Sequence, residues 1–269
     1  GSYSPRHSSG MRYRSLFNGI TGIDTASLNY VWGYKNRLFF VEKNSMRAWF
    51  LPIDSIGGEL KPIELGGDFS LGGTLLFGAT WSRATSGSGG LSDQIIFVSS
   101  EGQIAVYQGN DPESAADWAR VGIYRVGKPL GPRAWMQAGG DIIIATTVGM
   151  ISVSLALQTD YAALTPSSVS YPIEEAWNDA VKNRSTGRWS VVSWPENQMV
   201  LVAPAIVPSF APDIFVANAK TGAWCRLTNW PALCFCVYNG RLFFGSATGK
   251  IIEANVSGND RGTTFTAIY

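Results

Sequence analysis

Apolar and polar positions alternate along much of this chain in short runs broken by polar links, and three of these runs align without a gap. Phe97 to Ile104, Ile144 to Ile151 and Phe244 to Ile251 each hold an apolar, β-branched or aromatic run, a link containing Gly102, Gly149 or Gly249, and a second run. Such a unit predicts a β-hairpin whose link needs positive φ. The three glycines stand one and two repeat lengths apart. A period of roughly 40–50 residues, with several short strands in each period and almost no helix, predicts a β-propeller.

Two degraded copies complete the series. Arg37 to Glu42 and Arg47 to Leu51 flank a polar turn, Lys43 to Met46, and the Arg-Leu-Phe-Phe word of Arg37 returns at Arg241. Gln198 to Ala203 and Asp213 to Ala217 are parted by an insertion carrying Pro204, Pro208 and Pro212. Adding strands on either side of each hairpin gives the expected blades. The first is Leu28 to Trp32, Arg37 to Glu42, Arg47 to Ile53 and Leu60 to Leu65; the second is Leu75 to Trp81, Gln94 to Ser99, Gln103 to Gln108 and Val121 to Val126. The third is Ala134 to Gln137, Asp141 to Thr146 and Met150 to Leu157; the fourth is Trp189 to Trp194, Gln198 to Ala203, Asp213 to Ala217 and Trp224 to Thr228. The fifth is Cys234 to Tyr238, Arg241 to Ser246, Lys250 to Asn255 and Thr264 to Tyr269.

The expected fold class is therefore all-β, a β-propeller of five blades, or six if the N-terminal strand or further sequence supplies another. Residues 21–269 form the propeller domain, and residues 1–20 a tail, partly disordered or closing the ring through Met11 to Phe17. Gly1 and Ser2 resemble a cloning remnant, so the chain reads as an excised piece of a longer protein.

One segment has a different period. Between Pro172 and Asn183, Ile173, Trp177 and Val181 fall on one face of an amphipathic helix. Glu174 and Glu175 suit its positive end and Lys182 and Arg184 its negative end. The glutamates read as a charged first turn rather than an acid–base pair, because adjacent helix positions diverge by about 100°. The apolar stripe either covers the rim of its own fold or contacts a neighbouring subunit.

With 21 basic residues spread among 20 acidic ones, the chain lacks the concentrated positive face that tight phosphate binding needs. No run reaches the about 18 apolar residues of a membrane span. His7, the only histidine, lies in the tail, which excludes Ser-His and Cys-His nucleophile systems from the fold. Cys225, Cys234 and Cys236 read as buried, unpaired core thiols, since Cys234 and Cys236 share one strand face and lack further ligands nearby. Gly245 to Lys250 falls one residue short of a phosphate loop and reads as a hairpin turn, while Thr85 to Gly90 reads as a flexible loop. The sequons at Asn183 and Asn255 matter only in a secretory pathway.

The wording of the chain also resembles a family. Lys35 to Pro52 with Gly57 and Gly58, Val106 to Pro112 with Trp118 to Tyr124, Gly139 to Ile144, Ala156 to Asp160, and Ala223 to Trp230 are similar to the propeller segment of virion proteins from short-tailed bacteriophages and their prophages. These proteins resemble the tail nozzle, also called the packaged-DNA stabilisation or tail tubular B protein. The resemblance implies a ring of subunits below the portal and adaptor, made in the bacterial cytoplasm and located in the virion tail. Its implied partners are other copies of itself, portal or adaptor, tail fibre or spike proteins, and DNA that passes without being gripped. It implies no enzyme activity, no cofactor and no catalytic or metal residues. Two other readings stay open: a carbohydrate-binding propeller using Trp81, Trp118, Trp135, Trp194 and Trp230, and a glycosidase using two of Asp24, Asp68, Asp93 and Asp141.

Overall fold

The computed structural model describes residues 19–84, 91–184, 187–254, 259–260 and 263–264. Expectations for Met11 to Phe17, His7, Thr85 to Gly90, Asn255 and most of Thr264 to Tyr269 lie outside the described residues. The rest is a mainly β fold of small antiparallel sheets with one substantial helix.

Five antiparallel sheets of three or four strands follow one another in the chain, beside two two-stranded pairs, Ile20–Thr21 with Gly58–Glu59 and Asn259–Asp260 with Thr263–Thr264. Sheet I holds Leu28–Tyr34, Arg37–Glu42, Arg47–Phe50 and Lys61–Glu64; sheet II holds Leu75–Ala84, Leu91–Ser99, Gln103–Gln108 and Ala119–Arg125. Sheet III holds Trp135–Ala138, Asp141–Thr146 and Gly149–Ser152; sheet IV holds Ser190–Trp194, Met199–Ala203, Asp213–Asn218 and Trp224–Thr228. Sheet V holds Ala232–Tyr238, Arg241–Ser246 and Ile251–Glu253. Within each, strands pair in chain order, so every sheet is a meander.

Turn chemistry explains the hairpins. Gly102, Gly149 and Gly249 adopt φ of 82°, 128° and 75°, as their links require. Both copies of the Arg-Leu-Phe-Phe word follow a tight turn with two consecutive positive-φ residues, Lys35 and Asn36 in sheet I and Asn239 and Gly240 in sheet V. That geometry matches the right-handed twist of paired strands.

Apolar side chains pack between consecutive sheets. Phe39, Val41 and Phe50 of sheet I meet Ile95, Phe97 and Ala105 of sheet II. The opposite face of sheet II, with Phe77, Ile96 and Val98, meets Ile142, Ile144 and Ile151 of sheet III. Sheets III and IV share Met136, Ala145, Met150, Val200, Val202 and Phe215, and sheets IV and V share Leu201, Ile214, Val216, Leu242 and Phe244. First strands lead these contacts: Leu28–Tyr34 packs on Leu75–Ala84, Trp135–Ala138 on Ser190–Trp194, and the latter on Ala232–Tyr238.

Several expected boundaries change, and the strand from Arg47 ends at Phe50 rather than Ile53. The strand beginning at Met150 stops at Ser152, whose hydroxyl accepts from the Leu155 amide and caps a helical turn, Val153–Ala156. The strands expected to end at Trp81 and start at Gln94 instead run on to Ala84 and from Leu91, with Ser82 opposite Asp93 and Ala84 opposite Leu91.

The helix forms as a 3-10 turn, Tyr171–Ile173, running into the α-helix Glu174–Arg184. Its stripe faces its own core. Trp177 is 1% exposed, lies 5.2 Å from the Trp189 ring and donates its indole N–H to the Thr146 carbonyl at 3.0 Å. At the far end, buried Arg184 meets Asp213 at 2.6 Å and donates to the Ala211 carbonyl at 2.8 Å.

Candidate functional site

A cavity of about 830 Å³ lies where sheet I faces the entries to sheets III, IV and V. Sheet I supplies Leu28, Asn29, Tyr30, Val31 and Phe40, with Ile20 and Thr25 from the segment before it. Pro132 and Arg133 come from the approach to sheet III, Gly187, Arg188 and Trp189 from the approach to sheet IV, and Leu233 from sheet V. The two approaches are tied by backbone: Arg133 bridges Ser190, and the Val191 amide donates to the Arg133 carbonyl at 2.9 Å.

The chemistry of this cavity is cationic and apolar. Arg133 and Arg188 form no ion pair among the described residues, and no carboxylate lines the cavity there. Tyr30 accepts from the Trp135 indole N–H at 3.1 Å, so its own O–H remains available to donate. Burial raises the Tyr30 pKa, while the Trp135 hydrogen bond and the Arg133 charge pull it down.

The candidate acids serve the fold. The Asp24 carboxylate caps the 3-10 turn Thr25–Ser27 by accepting from Ala26. Asp68 accepts from the Tyr107 hydroxyl and the Arg120 guanidinium, and burial followed by that hydrogen bond and charge pushes the Tyr107 pKa up. Asp93 accepts from the Ser82 hydroxyl at 2.6 Å, and its backbone carbonyl accepts from Tyr34 at 3.1 Å. Tyr34 is pushed up to about 12, chiefly by burial and then by the Asp93 charge. Asp141 is a hub: it accepts from Ile142, Ser152 and Ser154, binding a strand start to the helical turn.

The tryptophans are also engaged. Trp81 is fully buried, Trp118 stacks on Tyr107 at 5.5 Å, and Trp135 stacks on Phe77 at 5.7 Å. Trp194 donates to the Gly240 carbonyl at 2.8 Å, and Trp230 stacks on Phe244 at 5.0 Å. Gly245 to Lys250 is a hairpin link, with the Gly249 amide donating to Ser246.

The thiols depart from expectation. Cys225 and Cys236 are exposed and Cys234 is half-buried. Phe235 and Val237 take the inward positions of their strand, which turns Cys234 and Cys236 to the other face, where no sheet packs among the described residues. That face also exposes Tyr238 and Ile251, at 72% and 83%. No group of three metal-ligating side chains occurs among the described residues.

No protein-family model and no curated protein matches the chain.

The sequence reasoning missed Arg133 and Arg188. Each precedes a strand in a different sheet, and neither belongs to a local motif. The only signal was an arginine beside the predicted first strand of two successive blades.

Proposed function

We propose that the chain is a noncatalytic structural module of a phage tail, with the five sheets as blades of a propeller. A sixth blade would come from sequence outside the described residues. The observation that carries this reading is the run of five meanders, each packed on the next, through first strands at three junctions and through Leu75–Ala84 on Asp141–Thr146 at the fourth, which makes a stiff scaffold. Conventional catalytic side chains are spent on that scaffold: Asp24, Asp68, Asp93 and Asp141 hold turns, strands and tyrosines.

Its place in the virion would be the nozzle or tail tube below the portal, where it helps retain the genome and lets it leave. Near-balanced charge suits a wall past which DNA slides. The outer face of sheet V, which exposes Tyr238 and Ile251 among the described residues, supports contact with other copies, with portal or adaptor, or with fibre or spike proteins. The helix offers such partners its polar side, because its apolar stripe is already covered. The carbohydrate-binding reading is weaker, since its five tryptophans are packed or stacked within the fold. The glycosidase reading lacks a facing pair of carboxylates in the cavity among the described residues.

Mass spectrometry and cryo-EM of particles from the encoding phage or induced prophage test the role. The chain should appear in stoichiometric amount in the tail, and its absence from purified particles would reject the reading.

A further inference from the structure

We propose that the cavity between sheet I and the entries to sheets III, IV and V binds a small organic anion, a carboxylate or phosphoryl group carried on a neutral body of sugar size. The charge pattern points there first. Arg37, Arg47, Arg120, Arg184, Arg226 and Arg241 each hold a carboxylate, and Arg125 lies over the Tyr161 ring at 4.3 Å. Arg133 and Arg188 have no such partner among the described residues, although the chain carries 20 acids to neutralise its 21 bases. Two exposed arginines are thus left lining one concavity, on backbone segments joined by the Arg133–Ser190 bridge. A guanidinium fork matches the oxygens of a carboxylate or phosphate in pairs.

The rest of the lining fits the remainder of such a ligand. Tyr30 has a hydroxyl proton to donate, and the Asn29 and Thr25 side chains make no hydrogen bond to described residues. Val31, 55% exposed, and Leu28 offer apolar contact to a ring. At about 830 Å³ the cavity falls within the range of small-molecule sites. A polymer gripped through many phosphates would need a long basic stripe instead.

The test is isothermal titration of the intact chain with glucuronate, glucose 6-phosphate and uncharged glucose at low salt. Saturable binding of at least one anion, without binding of glucose, is expected; which anion wins distinguishes a carboxylate ligand from a phosphorylated one. The double variant R133Q/R188Q should bind at least about ten-fold more weakly, the worth of one charge-assisted hydrogen bond. V31E, which places a carboxylate in the same lining, should weaken binding similarly. It carries the test if the double variant loses its cooperative melt. Failure of both anions to saturate, equal binding of glucose, or full affinity in a folded variant would overturn the proposal.

Discussion

Replacing Trp177 by alanine tests whether the helix is part of the core or an appendage to it. The side chain is 1% exposed, packs against Trp189 and Phe215 with ring centroids 5.2 Å and 6.0 Å away, and donates to the Thr146 carbonyl. Emptying a buried tryptophan site costs about 3–5 kcal/mol. Losing the indole donor to the Thr146 carbonyl pushes the loss toward the upper end, because a hydrogen bond contributes about 0.5–1.5 kcal/mol. Against a total stability of about 5–15 kcal/mol, that is a third or more of the fold. Trp177→Phe keeps most of the ring but not the N–H, so it should cost about 1–2 kcal/mol. Urea unfolding followed by circular dichroism measures both, with the slope unchanged if only stability moves. A Trp177→Ala loss below about 1 kcal/mol would refute the reasoning and free the stripe for an outside partner.

Other outcomes follow from the same contacts. Arg184→Ala should lower stability by about 1.5–3 kcal/mol in thermal melts, because it removes the buried partner of Asp213 and leaves that carboxylate only the more exposed Arg226. Gly78→Ala should cost about 1–3 kcal/mol, since a Cβ there would lie 2.2 Å from the Trp32 ring, whereas Gly139→Ala meets open space and bears only the left-handed backbone penalty. Tyr34 ionises more readily unfolded, at 10.0, than folded, at about 12. Its contribution is therefore intact below pH 10 and is lost as pH rises through about 12; Tyr34→Phe should flatten that part of a stability–pH curve while costing about 1 kcal/mol at neutral pH. An aromatic disulfide reagent should modify Cys225 and Cys236 in the native protein faster than Cys234, and protection of all three would contradict their described exposure.

Strand positions were legible because the apolar alternation and the turn residues agree locally. Arg37–Glu42, Gln103–Gln108, Asp141–Thr146, Trp224–Thr228 and Arg241–Ser246 fall where the pattern predicts. Failures occur where tertiary context decides. Nothing in Met150 to Leu157 announces that Asp141, across the hairpin, will fix Ser152 and Ser154 and turn the strand into a helix. The Cys-x-Cys spacing places two thiols on one face but does not say whether another sheet covers it. The cavity arginines were invisible for a related reason: backbone pairing between two successive sheet entries assembles them, and no single segment contains both.

Because each sheet is buried chiefly by the sheets before and after it in the chain, cooperativity here is a matter of links in a row. Among the described residues, interior links are doubly held and an end link is held once. Amide exchange should therefore be slowest in Ile95–Val98 and Ile142–Ile144 and quickest in Ile251–Glu253, so that the molecule comes apart from its last sheet inward.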